Sequence, residues 1–111
     1  NPVGSREALI VLASFAGRRI CVTPGMVELG AEEAELNKAF GRHMAQCVDI
    51  AIVIGKGHAD PICEGLREAG FPENCIVRAT SLAEATEKLP AYTEPGAVVL
   101  FENDLPDNYR E

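Results

Sequence analysis

The chain has no tryptophan, and aromatic residues make up only 5% of its 111 positions. Platforms on which nucleic-acid bases stack are therefore scarce. Positive charge is also short: ten Lys and Arg face seventeen Asp and Glu, for a net charge of −7. A field of that sign repels phosphate backbones and anionic lipid, which argues against nucleic acid and membrane surfaces as partners. No apolar run approaches the roughly 20 residues of a membrane span, and no basic segment precedes an apolar stretch as in a secretory signal. A cytoplasmic location is the expectation. An initiator Met is missing as well; the chain begins Asn1-Pro2, which reads as a processed terminus or as a piece of a longer polypeptide. The four cysteines, Cys21, Cys47, Cys63 and Cys75, form no C-x-x-C pair and have no His at a zinc-like interval. They read as small buried or near-surface thiols in a reducing compartment, with no metal site expected.

What is present describes one domain. Hydrophobic residues reach 47%, enough for a real core, and ten Gly with seven Pro suit many tight connections. A first helix is expected from Ser5, as N-cap, to Ala16, with Gly17 as its stop. Its run Ala8-Leu9-Ile10-Val11-Leu12 predicts burial almost all round. Arg19 to Val22 follows as a short strand. Leu36, Phe40, Met44 and Val48 recur every four residues and mark a second helix, whose first turn carries Glu32, Glu33 and Glu35. Asp49 to Ile54 does not alternate, as in a strand buried on both faces. Asp60-Pro61 opens a third helix, with Ile62, Leu66 and Ala69 as its inner stripe and Gly70 as its end. Cys75 to Arg78 reads as a strand. Ser81 and Glu84 have capping-box spacing for a fourth helix that Pro90 ends. Ala97 to Phe101 is the last strand, before a polar tail from Glu102 to Glu111.

The order α-β-α-β-α-β-α-β demands parallel strands. The fold class is therefore α/β: a three-layer, Rossmann-like open sheet, mostly parallel, with helices on both faces. A series that opens on a helix implies a truncated first strand before Asn1.

In such sheets ligands bind beyond the carboxyl ends of the strands. Gly55-Lys56-Gly57-His58 lies there, but Asp60 stands where a dinucleotide fingerprint needs its third glycine, and no G-x-x-x-x-G-K-[ST] loop exists anywhere. A plain turn is the better reading, with an anion contact as the alternative. His43 reads as solvent-facing, and His58 has no Ser or Cys nucleophile near it. The Thr23 to Gly30 loop is partly apolar and holds one buried-looking acid, Glu28. It is either a lid over the sheet edge or a substrate wall formed by Thr23, Gly25 and Met26, with Glu28 orienting the substrate. Glu102, Asn103 and Asp104 put carboxylates and an amide just past the last strand, where they end the strand or bind a substrate amine or Mg²⁺.

Several motifs occur together in one order. Asn1-Pro2 with Ser5-Arg6-Glu7-Ala8-Leu9 resembles the N-P-x-S-x-x-A-A-L stretch of the Mur ligase family. Gly17 to Val22 and Gly25-Met26-Val27-Glu28-Leu29-Gly30 resemble its G-R-x-I-x-V-x-G-D-M-x-E-L-G. Pro95 to Leu100 resembles its closing G-D-V-V-L-V strand. The similarity spans nearly the whole chain and is nearest to the members that add D-alanyl-D-alanine to a UDP-linked muramoyl tripeptide. It implies the Rossmann-like C-terminal domain, residues 1–111, of an enzyme that uses ATP and Mg²⁺ to form an amide through an acyl phosphate. The implied partners are the central ATP-binding domain of the same chain, a UDP-linked precursor, and an amino acid or dipeptide. Asn1 is implied as a nucleotide contact, and Thr23, Gly25, Met26, Glu28, Glu102, Asn103 and Asp104 as substrate contacts. No catalytic residue and no bound cofactor is expected on this domain alone, and alone it is expected to be inactive. Two departures stand out. Pro24-Gly25-Met26 replaces Gly-Asp-Met, and Glu102-Asn103-Asp104 replaces the Lys-Gly-Ser usual in the D-alanyl-D-alanine-adding members. The alternative is a flavodoxin-like or receiver-like module, against which the Phe101-Glu102 end of the last strand argues.

Overall fold

Ile50–Ile54 is buried at every residue, as a strand covered on both faces must be. In the computed structural model, which describes residues 1–102, this strand (β2) lies between β1 (Arg19–Thr23) and β3 (Ile76–Ala79), and β4 (Val98–Phe101) lies on the far side of β1. All three pairings are parallel, and the order is β3-β2-β1-β4. Four helices join or precede them: α1 (Pro2–Ala13), α2 (Glu33–Cys47), α3 (Asp60–Glu68) and α4 (Leu82–Lys88).

Strand alternation divides the core in two. Cys21, Ala51 and Val53 point to the side of α1, α2 and α3, where Leu9, Phe40, Met44, Ile62 and Leu66 meet them. Ile20, Val22, Ile50, Ile52 and Ile54 point the other way, onto Ala85 of α4 and its flank. Two apolar faces with helices on each are the expected three layers. Burying one Ile or Leu fully contributes about 1.5–3 kcal/mol, so Ile20, Ile52, Ile62 and Leu66, each at most 0% exposed, anchor the two halves.

The helices α2 and α3 cross with almost no separation. A Cβ placed on Gly41 would strike the Ile62 carbonyl oxygen, and one on Gly65 would strike the Lys38 carbonyl oxygen. Both glycines are therefore required by backbone contact. Around the crossing, Glu68 takes Lys38 Nζ at 3.2 Å and Arg42 Nη1 at 2.9 Å. Arg67 clasps both oxygens of Glu73 at 2.7 and 2.8 Å.

These pairs make an acid-sensitive contribution. The hydrogen bond from Lys38, then that from Arg42, hold the Glu68 carboxyl below the usual range, and Arg67 does the same to Glu73. A carboxyl whose pKa is lower folded than unfolded stabilises fully above its unfolded value, about 4.3, and loses that contribution as pH falls through the depressed folded value. Urea midpoints compared at neutral and acid pH should therefore fall less in Glu68→Gln than in the parent. The difference should shrink in high salt, because Glu68 is exposed and its partners Lys38 and Arg42 are only half-buried.

Several boundaries differ from expectation for local reasons. The first helix begins at Pro2, with Asn1 as its cap: Asn1 Oδ1 accepts from Gly4 N at 2.7 Å. Proline at a first-turn position needs no donor there. The helix ends at Ala13 rather than Ala16. It is also not buried all round. Ser5, Leu9 and Leu12 face inward, while Val3, Ile10 and Val11 are exposed by 67, 56 and 61%. In α3 the inner stripe is Ile62, Cys63 and Leu66; Ala69 is exposed and lies past the helix end. Asp60 is the first residue of α3 rather than its cap, and its carboxylate accepts from Arg78 at 3.1 Å. Cys75 belongs to a 3-10 turn, Glu73–Cys75, ahead of β3. The box at α4 is offset by one residue: Glu84 N donates to Ser81 Oγ at 3.1 Å, but the Glu84 carboxylate accepts from Thr80 N at 2.6 Å.

Candidate functional site

Chain order runs outward from β1 through β2 to β3, then returns to place β4 against the other edge of β1. That reversal is the switch point at which open α/β sheets leave a crevice. Val22 pairs with Phe101 across it, and Glu102 N donates to Val22 O at 3.0 Å. The turns after β1 and β4 thus leave the same rim side by side.

The Thr23 turn is built tightly from within. Thr23 is fully buried, and its Oγ1 accepts from Gly25 N at 3.0 Å. Gly25 has φ 81°, and a Cβ there would lie 2.5 Å from Ile62 Cδ1 and 2.8 Å from Asn37 Oδ1. Met26 is buried, and Asn37 of α2 grips its backbone from both sides: Met26 N donates to Asn37 Oδ1, and Asn37 Nδ2 donates to Met26 O, each at 2.8 Å. Asn37 is itself only 1% exposed. Thr23, Gly25 and Met26 therefore shape a wall by their backbone and packing, and their polar side-chain capacity is used internally.

Glu28 corrects the expectation of a buried acid. The loop swings outward at Val27 and Glu28, both exposed, before Leu29 turns back against the core. Glu28 has φ 62°, which makes it the non-glycine residue at positive φ among those described. That backbone region costs an L-residue with a Cβ about 1–2 kcal/mol. Glu28→Gly should leave the fold intact and stabilise it by up to about 1 kcal/mol, measured as a higher urea midpoint; a lower midpoint would mean that the Glu28 side chain holds the loop.

Glu102 is half-buried, and its Oε1 accepts from Ser5 Oγ at 3.0 Å. Ser5, expected as a helix cap, is 1% exposed and orients Glu102 instead. The same contact brings the start of α1, with Asn1 one turn away, to this rim. Two sequence-predicted parts therefore meet, the Thr23 turn and Glu102, while Asn1 lies one helical turn from Ser5 and accepts hydrogen bonds from Gly4 N and Ser5 N within α1. Asn103 and Asp104 lie outside the described residues. Asn37 and Ser5 escaped sequence reading; the only signal for Asn37 was an amide beside Leu36 on the inward stripe of α2.

Elsewhere on the rim, Arg78 donates to Gly55 O at 2.8 Å and to Lys56 O at 3.0 Å. These contacts occupy the Gly55 and Lys56 carbonyls, and the segment runs on into a 3-10 turn, Gly57–Ala59, ahead of α3. His43 is half-buried rather than solvent-facing; burial, then the charge of Arg6, hold its imidazole below the usual histidine range. Burial and the nearby Glu102 carboxylate push the Cys21 thiol far up, so it stays protonated. All four cysteines are free thiols. Among the described residues no group of three or more His, Cys, Asp or Glu is placed to hold a metal ion. No helix among them is long and apolar enough to cross a membrane.

No protein-family profile matches the sequence, and no curated protein matches it. A solved structure does: that of the MurF ligase from Thermotoga maritima in complex with ADP, with a TM-score of 0.72 at 20% sequence identity. The alignment covers 91% of this chain and 22% of the ligase. The chain thus spans about a fifth of the length of that enzyme, and it has the fold of that segment.

Proposed function

We propose that this chain is the C-terminal domain of an ATP-dependent, Mur-type amide ligase of peptidoglycan precursor synthesis, working in the cytoplasm and inactive by itself. The observation that carries this reading is the shared rim: β1 and β4 end together at the switch point, with Glu102 fixed by Ser5 beside the closed Thr23 turn. The fold of a MurF segment supports it.

In this reading the domain closes on the central ATP-binding domain of the same polypeptide. Closure excludes water, which would otherwise hydrolyse an acyl phosphate before the amine reaches it. Thr23, Gly25 and Met26 form the wall against the incoming amino acid or dipeptide. Glu28 and Glu102, with Asn103 and Asp104, offer acceptors to its ammonium group before attack on the UDP-linked precursor. Asn1, at the rim end of α1, faces the nucleotide. In this reading ATP and Mg²⁺ are held chiefly by the central domain; among the described residues no group of three or more His, Cys, Asp or Glu forms a metal cage.

The test separates part from whole. The full-length polypeptide should release ADP only when a UDP-linked precursor and an amine substrate are both present, with one amide formed per ADP. The 111-residue chain should release none. ATP hydrolysis by that chain alone, or a full-length polypeptide without ATP-dependent amide formation, contradicts the proposal.

A further inference from the structure

Between α1 and α2 runs a groove of about 550 Å³ that the rim does not use, apart from sharing Met26. Its volume is in the range of small-molecule sites, about 300–1,000 Å³. Met26, Leu36 and Phe40 give it an apolar floor. Its polar edge is basic, formed by Arg6 of α1 with Arg42 and His43 of α2, and no carboxylate lines it. This is unexpected in a chain of net charge −7. Arg42 is already committed to Glu68, whereas exposed Arg6 has no hydrogen bond or ion pair among the described residues. His43, flanked by Arg6 and Arg42, is kept toward its neutral form by burial and by the Arg6 charge. Among the described residues the groove's charged lining is therefore cationic, with no carboxylate facing it.

We propose that this groove binds a small organic anion with an apolar body, such as a medium-chain monocarboxylate, its carboxylate at Arg6 and its chain on Met26, Leu36 and Phe40. One uncommitted cation above one apolar floor matches a single-headed amphiphile; an acidic peptide needs several cations in a row. The bound carboxylate also favours the imidazolium, so the pKa of His43 rises on binding. The inference does not depend on the ligase reading, because Arg6, Leu36 and Phe40 lie outside the strand-end turns and only Met26 is shared with the Thr23 turn.

Octanoate titrated into the 111-residue chain, followed by amide NMR, tests this. Saturable shifts centred on Arg6, Phe40 and His43 are expected, with a dissociation constant on the order of 1 mM for a ligand this small. Octanamide, equal in shape but neutral, should bind about tenfold more weakly, the value of one charge-assisted hydrogen bond. Arg6→Gln should remove that difference, and Ala39→Trp, which fills the groove from an exposed helix position, should abolish binding of both. Equal affinity for octanoate and octanamide, octanoate binding unchanged in Arg6→Gln, shifts centred on Ile10 and Val11 instead, or binding of a glutamate hexapeptide in place of octanoate would each overturn the proposal.

Discussion

Gly65→Ala will destabilise the fold by about 3 kcal/mol or more, the upper end of what overpacking costs. In an isolated helix the same change would stabilise by about 1 kcal/mol, because Ala loses less backbone freedom than Gly. The sign reverses here because the new methyl group would occupy the space of the Lys38 carbonyl oxygen, with Arg42 N 2.9 Å away. These are backbone atoms inside α2 and cannot swing aside as a side-chain tip can. The helices would have to separate, breaking contact between Phe40, Met44, Ile62 and Leu66 on the most heavily packed side of the sheet. Gly41→Ala should do the same through the Ile62 carbonyl. Chemical denaturation measures both, and an Ala variant at either position with parental stability would show that the helices do not cross so closely.

Asn37→Leu is the second large effect, about 2–4 kcal/mol. Leu fits the volume, but it leaves Met26 N and Met26 O buried without partners, and each such group costs about 1–3 kcal/mol. The damage should be local as well as global. Without the clamp, the turn from Thr23 to Gly30 loses the contact that ties it to α2. Amide exchange at Met26 should accelerate by more than the drop in global stability explains. Equal acceleration throughout the chain would instead mean that Asn37 serves the core alone.

Local signals in the sequence specified much of the fold. The unbroken apolar run before Ile54, the pairing of Ser81 with Glu84 and the stop at Gly70 are short-range features, and each located its element to within a residue or two. Alternating helix and strand then required a parallel sheet. What escaped the sequence depended on contacts between distant positions. Val3, Ile10 and Val11 look like core by composition, yet α1 packs through one face only and leaves them outside. Gly41 and Gly65 look like ordinary helix-weakening residues until the crossing is seen. At the rim, the parallel sheet required by the element order put the Thr23 and Glu102 turns at the same ends of their strands, and the pairing of β1 with β4 sets them side by side. Glu28 was misjudged because its positive φ, which turns the side chain outward, leaves no trace in residue type. Ser5 was misjudged because a serine near a helix start is usually a cap, and Asn1 with Pro2 had already filled that role.

In the proposed enzyme, Ser5 holds Glu102 toward the incoming amine. Steady-state kinetics of the full-length polypeptide, assayed for the proposed amide formation and carrying Glu102→Ala, with Ser5→Ala beside it, is the direct measurement. Loss of one charge-assisted contact should raise KM for the incoming amine about tenfold in Glu102→Ala, and by less in Ser5→Ala, with KM for ATP unchanged in both. An unchanged KM for the amine in Glu102→Ala, in a protein that folds normally, would contradict that role of Glu102.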